Sequence, residues 1–195
     1  MPATRSIAAR KRLPGPERRR QLASAALSIL AKHGATKLTA RALGDAVGLT
    51  DGAIFRHFPN KAAIVDAAIE RFEGFLAEDL PDANAPPMEQ LESFFVKRLA
   101  KLRAHPEVLK LTFSDRLEQA AGPAGAARIR EGLGAQRAFL FRCVGAARDA
   151  GELDGRGDVA LLTWMVMGTM QGAARSPEPP PAEVFRQLKT VLGTA

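Results

Sequence analysis

Between Thr39 and Lys61 the chain gathers hydroxyls, cations and an imidazole at spacings suited to holding a polyanion. Thr39 and Thr50 each stand where a side-chain oxygen and free backbone N–H groups meet at a helix start, and a phosphate is a natural partner for such an end. Lys61 opens a further helix beside them, placed to neutralise a phosphate. Asp51, Gly52, Ala53 and Arg56 project from a short helix whose N-terminal half is expected to face base edges. Asp51 has two readings: it accepts from cytosine N4, or it stabilises the helix N-terminus, and the second is favoured.

Residues for covalent or metal chemistry are scarce. His33, His57 and His105 are the only histidines, Cys143 is the only cysteine, and neither an HExxH spacing nor a glycine-rich phosphate loop is present. No enzyme, metal site or cofactor is therefore expected. A lone cysteine excludes an intrachain disulfide. Cys143 reads as a buried structural thiol on a long helix, with a redox sensor as the alternative.

Charge is distributed unevenly. Residues 1–61 hold twelve Lys/Arg against three Asp/Glu, a net of +9, whereas residues 62–195 carry a net of −2. The third of the chain holding the threonines and Lys61 thus supplies all the excess positive charge, the footprint of a partner that is a polyanion. The bland alternative is a basic, solvated tail that aids solubility. Nothing approaches ~18 consecutive apolar residues, so no membrane span is expected. The basic N-terminus lacks the apolar core of a secretory signal, and a soluble cytoplasmic protein is the expectation.

These side chains must be positioned by helices. Residues 1–15 read as a disordered basic arm, and Pro16 suits the first turn of a helix carrying Leu22, Ala26, Leu27 and Leu30 to a stop at Gly34. Thr39 caps a helix with Leu43 and Val47 that ends at Gly48; Thr50 caps a short helix running to His57; Asn60 caps a long one. Two short helices joined by a glycine turn form the layout of a helix-turn-helix, with Leu43, Val47, Leu49, Ile54 and Phe58 packed beneath it. A linker at 81–87 separates further helices starting near Met88, Pro106, Ala126, Asp158 and Val184, broken at Gly122-Pro123. No sustained alternation of period two appears. The expected fold is all-α, with nine or ten helices: an arm (1–15), a three-helix DNA-binding domain (16–62) and a larger helical domain (63–195).

Residues 16–75 resemble the DNA-binding domain of the TetR family of bacterial transcriptional regulators. The resemblance rests on Gly48-Leu49-Thr50, Phe55-Arg56-His57-Phe58 and Asn60-Lys61, a far more specific cluster than a bare helix-turn-helix. It implies phosphate contacts at Thr39, Thr50, Phe55, His57 and Lys61, and base contacts at Arg41, Asp51, Ala53 and Arg56. Phe55 stands where the family usually has tyrosine, so one hydroxyl-to-phosphate hydrogen bond is lost; the basic arm is a candidate to compensate.

The resemblance further implies an effector-binding, homodimerising C-terminal domain and a repressor that occludes a palindromic operator on double-stranded DNA. A small, largely apolar effector would sit among Phe94, Phe95, Leu102, Leu111, Phe113 and Phe139, with Arg98, Asp115 and Arg116 as candidates to orient a polar group. The helices flanking Gly151 resemble the pair that builds the family's dimer interface, here with Leu140, Val144, Ala147, Leu161, Trp164, Met165 and Gly168. The second of them is apolar nearly all round, which suits either a dimer interface or a buried core helix. A DNA-binding protein of the same fold without an effector is the alternative function.

Overall fold

Thr39, Thr50, Asn60 and Asp158 each accept a hydrogen bond from the backbone N–H three residues on, and so set the start of four helices. The computed structural model describes residues 13–153 and 157–193; the basic arm expected at residues 1–15 lies, for residues 1–12, outside them. Among the described residues there are nine α-helices, one short 3₁₀ turn and no strand. They are α1 (Gly15–His33), α2 (Ala40–Val47), α3 (Asp51–Phe55), α4 (Lys61–Ala77), α5 (Pro87–Ala104), α6 (Pro106–Thr112), α7 (Arg116–Asp149), α8 (Val159–Ala173) and α9 (Pro181–Leu192). None is long and apolar enough to cross a membrane.

Three helix ends differ from expectation. The short helix α3 stops at Phe55, two residues before His57, because the N–H groups of His57 and Phe58 both turn back to the carbonyl of Ile54. That tight corner drops Phe58 into the core, where it is fully buried. Pro87, expected in the linker, is the first residue of α5, where its missing N–H costs nothing. The expected break at Gly122-Pro123 is a kink inside α7: Gly122 leaves helical geometry at φ 67°, and the helix resumes at once.

One continuous apolar core runs from Leu22 to Leu192. The long helix α4 lies at its centre, packed against α1 on one side and α7 on the other. Ile64, Val65, Ala68, Ile69, Phe72 and Leu76, the expected apolar stripe, are all buried. Arg128 of α7 ties the outer side of α4, donating to Glu73 (2.9 Å) and Asp66 (2.7 Å). The helix-turn-helix is thus mounted on a helix whose far end belongs to the larger module.

Candidate nucleic-acid interface and effector cavities

The turn between α2 and α3 depends on two glycines. Gly48 takes the left-handed conformation (φ 69°, ψ 48°) that ends α2 and lets α3 leave at an angle. Gly44 serves a different purpose: the N–H of Leu49 donates to its carbonyl at 2.8 Å, and a Cβ at Gly44 would lie 2.5 Å from the Leu49 carbonyl oxygen. The two segments meet backbone to backbone, with no room for a side chain. Sequence reasoning missed Gly44; its only signal was a glycine in the middle of a helical pattern.

The caps leave the interface side chains outward. Thr39 Oγ1 accepts from the Ala42 N–H at 3.0 Å, and Thr50 Oγ1 from that of Ala53 at 3.4 Å. Each hydroxyl keeps its own hydrogen, a donor for a phosphate oxygen. Thr39, Arg41, Thr50, Asp51, Phe55, Arg56 and Lys61 are exposed, while Ala53 and His57 are half-buried. Asp51 occupies the first turn of α3, where a carboxylate is favoured by the free N–H groups. Phe55 presents a bare ring with half its surface exposed. Lys61 Nζ donates to the Ala35 carbonyl at 2.6 Å, which draws this cation toward the 3₁₀ turn before α2. Beneath the corner Arg19 of α1 donates to the His57 carbonyl (3.2 Å) and lies 4.7 Å from the centre of the Phe58 ring. Arg19 was legible only as one of a basic run, not as a brace for this corner.

Two cavities lie in the larger module. One, of about 870 Å³, opens between α4, α5 and α7 and includes Leu76, Leu80, Gln90, Phe139 and Cys143 in its wall. The other, of about 410 Å³, is lined mainly by α5 to α8 and holds Leu102, Phe113, Leu133, Trp164 and Met170, with Arg98 at its wall. Of the six expected effector residues, Phe139 lines the first cavity, and Leu102 and Phe113 line the second. Phe94, Phe95 and Leu111 are buried in the core and line neither. Phe94 packs on Phe139 and Phe95 on Phe185, with ring centres 5.1 and 5.2 Å apart.

Arg98 is fully buried. It donates to Asp79 (2.8 Å) and to the Leu76 carbonyl (2.6 Å), and lies within 5.4 Å of the Phe75 and Phe94 ring centres. Burial pulls its guanidinium below the ordinary arginine value, opposed by the charge of Asp79; an arginine so displaced stays protonated. Asp115 accepts from Gln119, and Arg116 reaches the Ala31 carbonyl at 2.6 Å, so neither faces this cavity. Cys143 is buried with Sγ 3.8 Å from Gln90 Oε1. Its burial pushes the thiol up despite nearby Arg142, disfavouring the reactive thiolate. Among the described residues no group of His, Cys, Asp or Glu could hold a metal ion.

Residues 22–68 match the family model described as bacterial regulatory proteins, tetR family. Over these residues the chain carries the DNA-binding module of the TetR family. The transcriptional repressor KstR2 of Mycobacterium tuberculosis is 29% identical over 91 residues, 45% of this chain and 46% of that protein, so the matched part spans less than half of the relative's length. Its solved structure superposes over 90% of this chain and 92% of its own with a TM-score of 0.71 at 21% identity. AibR, solved in complex with isovaleryl coenzyme A and operator DNA, superposes over 91% and 100% with a TM-score of 0.71 at 15% identity. FadR from Bacillus subtilis, solved in complex with stearoyl-CoA, covers 88% and 96% with a TM-score of 0.60 at 19% identity. At such identities the superpositions establish the fold.

Helix α8 is apolar on both sides, and its two sides have different fates. Leu162, Val166 and Met170 are buried, whereas Leu161 and Trp164 are more than half exposed and Gly168 is exposed. Met165 lies between them, half-buried. On α7 the expected interface residues Leu140, Val144 and Ala147 are buried within the chain itself. The large apolar side chain of α7 that stands exposed is their neighbour Phe141.

Proposed function

We propose that this chain is a ligand-responsive transcriptional repressor that binds a palindromic operator as a homodimer. The observation that carries the reading is the α2–α3 unit, whose two threonine-capped helix starts and outward cations form one short segment braced from below by Arg19. Thr39, Thr50, His57 and Lys61 hold phosphates, and Phe55 packs against the sugar-phosphate backbone. Arg41, Ala53 and Arg56 meet base edges, while Asp51 stabilises the start of α3. Residues 16–62 form the DNA-binding domain and 63–195 the effector and dimer domain, with α4 spanning the boundary. A regulator acting in this way on DNA would work in the bacterial cytoplasm.

The cavity holding Leu102, Phe113 and Trp164 suits a largely apolar effector, and the acyl-CoA esters bound by AibR and FadR make that class the first to test. Effector binding favours a dimer whose recognition helices are wrongly spaced for successive major grooves, so operator affinity falls by the effector's differential affinity for the two states. A gel shift on DNA flanking the gene, run across salt concentrations, tests the first half: affinity falls steeply with salt, and Arg41→Ala costs about 1–3 kcal/mol and relaxes base preference. Binding no tighter than to random duplex defeats the reading. An acyl-CoA that binds tightly yet leaves operator affinity unchanged defeats its second half.

A further inference from the structure

A third recess, of about 830 Å³, lies between the C-terminal ends of α1 and α8 and helix α6. Five cations line it, Lys32, Arg103, Lys110, Arg116 and Arg175, and no carboxylate does. Two of them have structural work. Arg103 donates to the carbonyls of Ala173 (3.1 Å) and Pro177 (2.8 Å), and Arg116 to that of Ala31 (2.6 Å). They neutralise the carbonyl ends of α8 and α1, whose partial negative charge would otherwise repel an anion. The side chains of Lys32, Lys110 and Arg175 are exposed and make no hydrogen bond or ion pair with a described residue. Ser114 also lines the recess, with its Oγ shut off from solvent and without a hydrogen-bond partner among the described residues.

Three unpaired cations on separate elements exceed what the two oxygens of a carboxylate use; a phosphate ester with several non-bridging oxygens matches them. Leu109 and Phe113 line both this recess and the apolar cavity that holds Trp164. The two spaces therefore adjoin. We infer that the recess holds the phosphate-bearing head of an amphipathic effector whose apolar part fills the adjoining cavity. The inference rests on the ligand-responsive reading above and assigns the head to a place of its own. Such a head bridges Lys32 of α1 and Lys110 of α6, and α1 also carries Arg19, the brace of the recognition corner. Ligand charge thereby acts on the DNA-binding module directly.

The test uses the full chain and three probes: octanoyl-CoA, octanoate without the head, and adenosine 3′,5′-bisphosphate without the tail. Calorimetry reads binding, and the fluorescence of Trp164, the only tryptophan, reads entry of a tail into the cavity. In the variant Lys110→Ala/Arg175→Ala, which removes two partnerless exposed side chains, octanoyl-CoA and the bisphosphate lose about ten-fold or more in affinity. Octanoate binding and its fluorescence change stay as in the parent. A variant that holds octanoyl-CoA as tightly as the parent overturns the inference, as does an equal loss for octanoate. A parent that binds neither phosphate-bearing probe also overturns it. Operator binding by the ligand-free variant is measured alongside; if neither protein binds DNA, the repressor reading fails while the recess is judged on its own calorimetry.

Discussion

Arg98 shows how far a single residue was legible. It stood in the sequence as a candidate to orient a polar ligand group, but nothing nearby in the chain announced that it would be buried. Its partner Asp79 lies nineteen residues earlier, across the linker, and the pair forms only when α5 folds back along α4. Lys101 also reaches Asp79, at 3.0 Å. Arg98→Leu removes one member of a buried pair, a loss of about 3–5 kcal/mol in general, and the remaining Lys101 holds the cost near the lower end, about 3 kcal/mol. Urea unfolding measures it; a loss below about 1 kcal/mol means that Arg98 contributes mainly to the cavity wall. The threonines were legible for the opposite reason. Thr39 and Thr50 act on N–H groups three residues away, so their chemistry is written within one turn of helix.

At the scale of the element, caps and punctuating residues decided most boundaries in advance. Gly34 and Gly48 close α1 and α2, Asn60 and Asp158 open α4 and α8, and Pro106 opens α6. The miss at α3 arose because periodicity cannot tell a last helical turn from a tight corner; the choice was made by Phe58 falling into the core. Gly44 gives the sharpest prediction here. In Gly44→Ala the new methyl meets the backbone of Leu49, which cannot rotate away, so α2 and α3 must separate. A cost of about 1–3 kcal/mol in thermal unfolding is expected, with loss of operator binding. Gly52→Ala is the control: nothing lies within 4 Å of the added methyl, and α3 gains helix propensity of about 1 kcal/mol. Equal stability of the two variants refutes the backbone-contact account.

For the whole molecule the question is what covers the outer side of α8. Leu161, Trp164 and, on α7, Phe141 present bare apolar surface, and the homodimer proposed above buries it. Trp164→Glu places a charge there and is expected to weaken self-association by at least about 2 kcal/mol, as for a central interface aromatic. Sedimentation velocity checks this. A variant that remains dimeric like the parent moves the interface elsewhere. Operator affinity should fall with the dimer, since two half-sites are read together.

By itself the sequence determined the all-helical class, the helix-turn-helix and the outward residues of α2 and α3. Each of these follows from caps, turns and apolar spacing that act over a few residues. Tertiary structure alone decided which side of α8 is buried, why Phe94, Phe95 and Leu111 are core rather than cavity wall, and that Leu140, Val144 and Ala147 face inward while Phe141 does not. It also brought Lys32, Lys110 and Arg175 to one recess. Those outcomes depend on how helices far apart in the chain pack against each other. An apolar residue gains from burial on whichever side is covered, and no local pattern says which side that is.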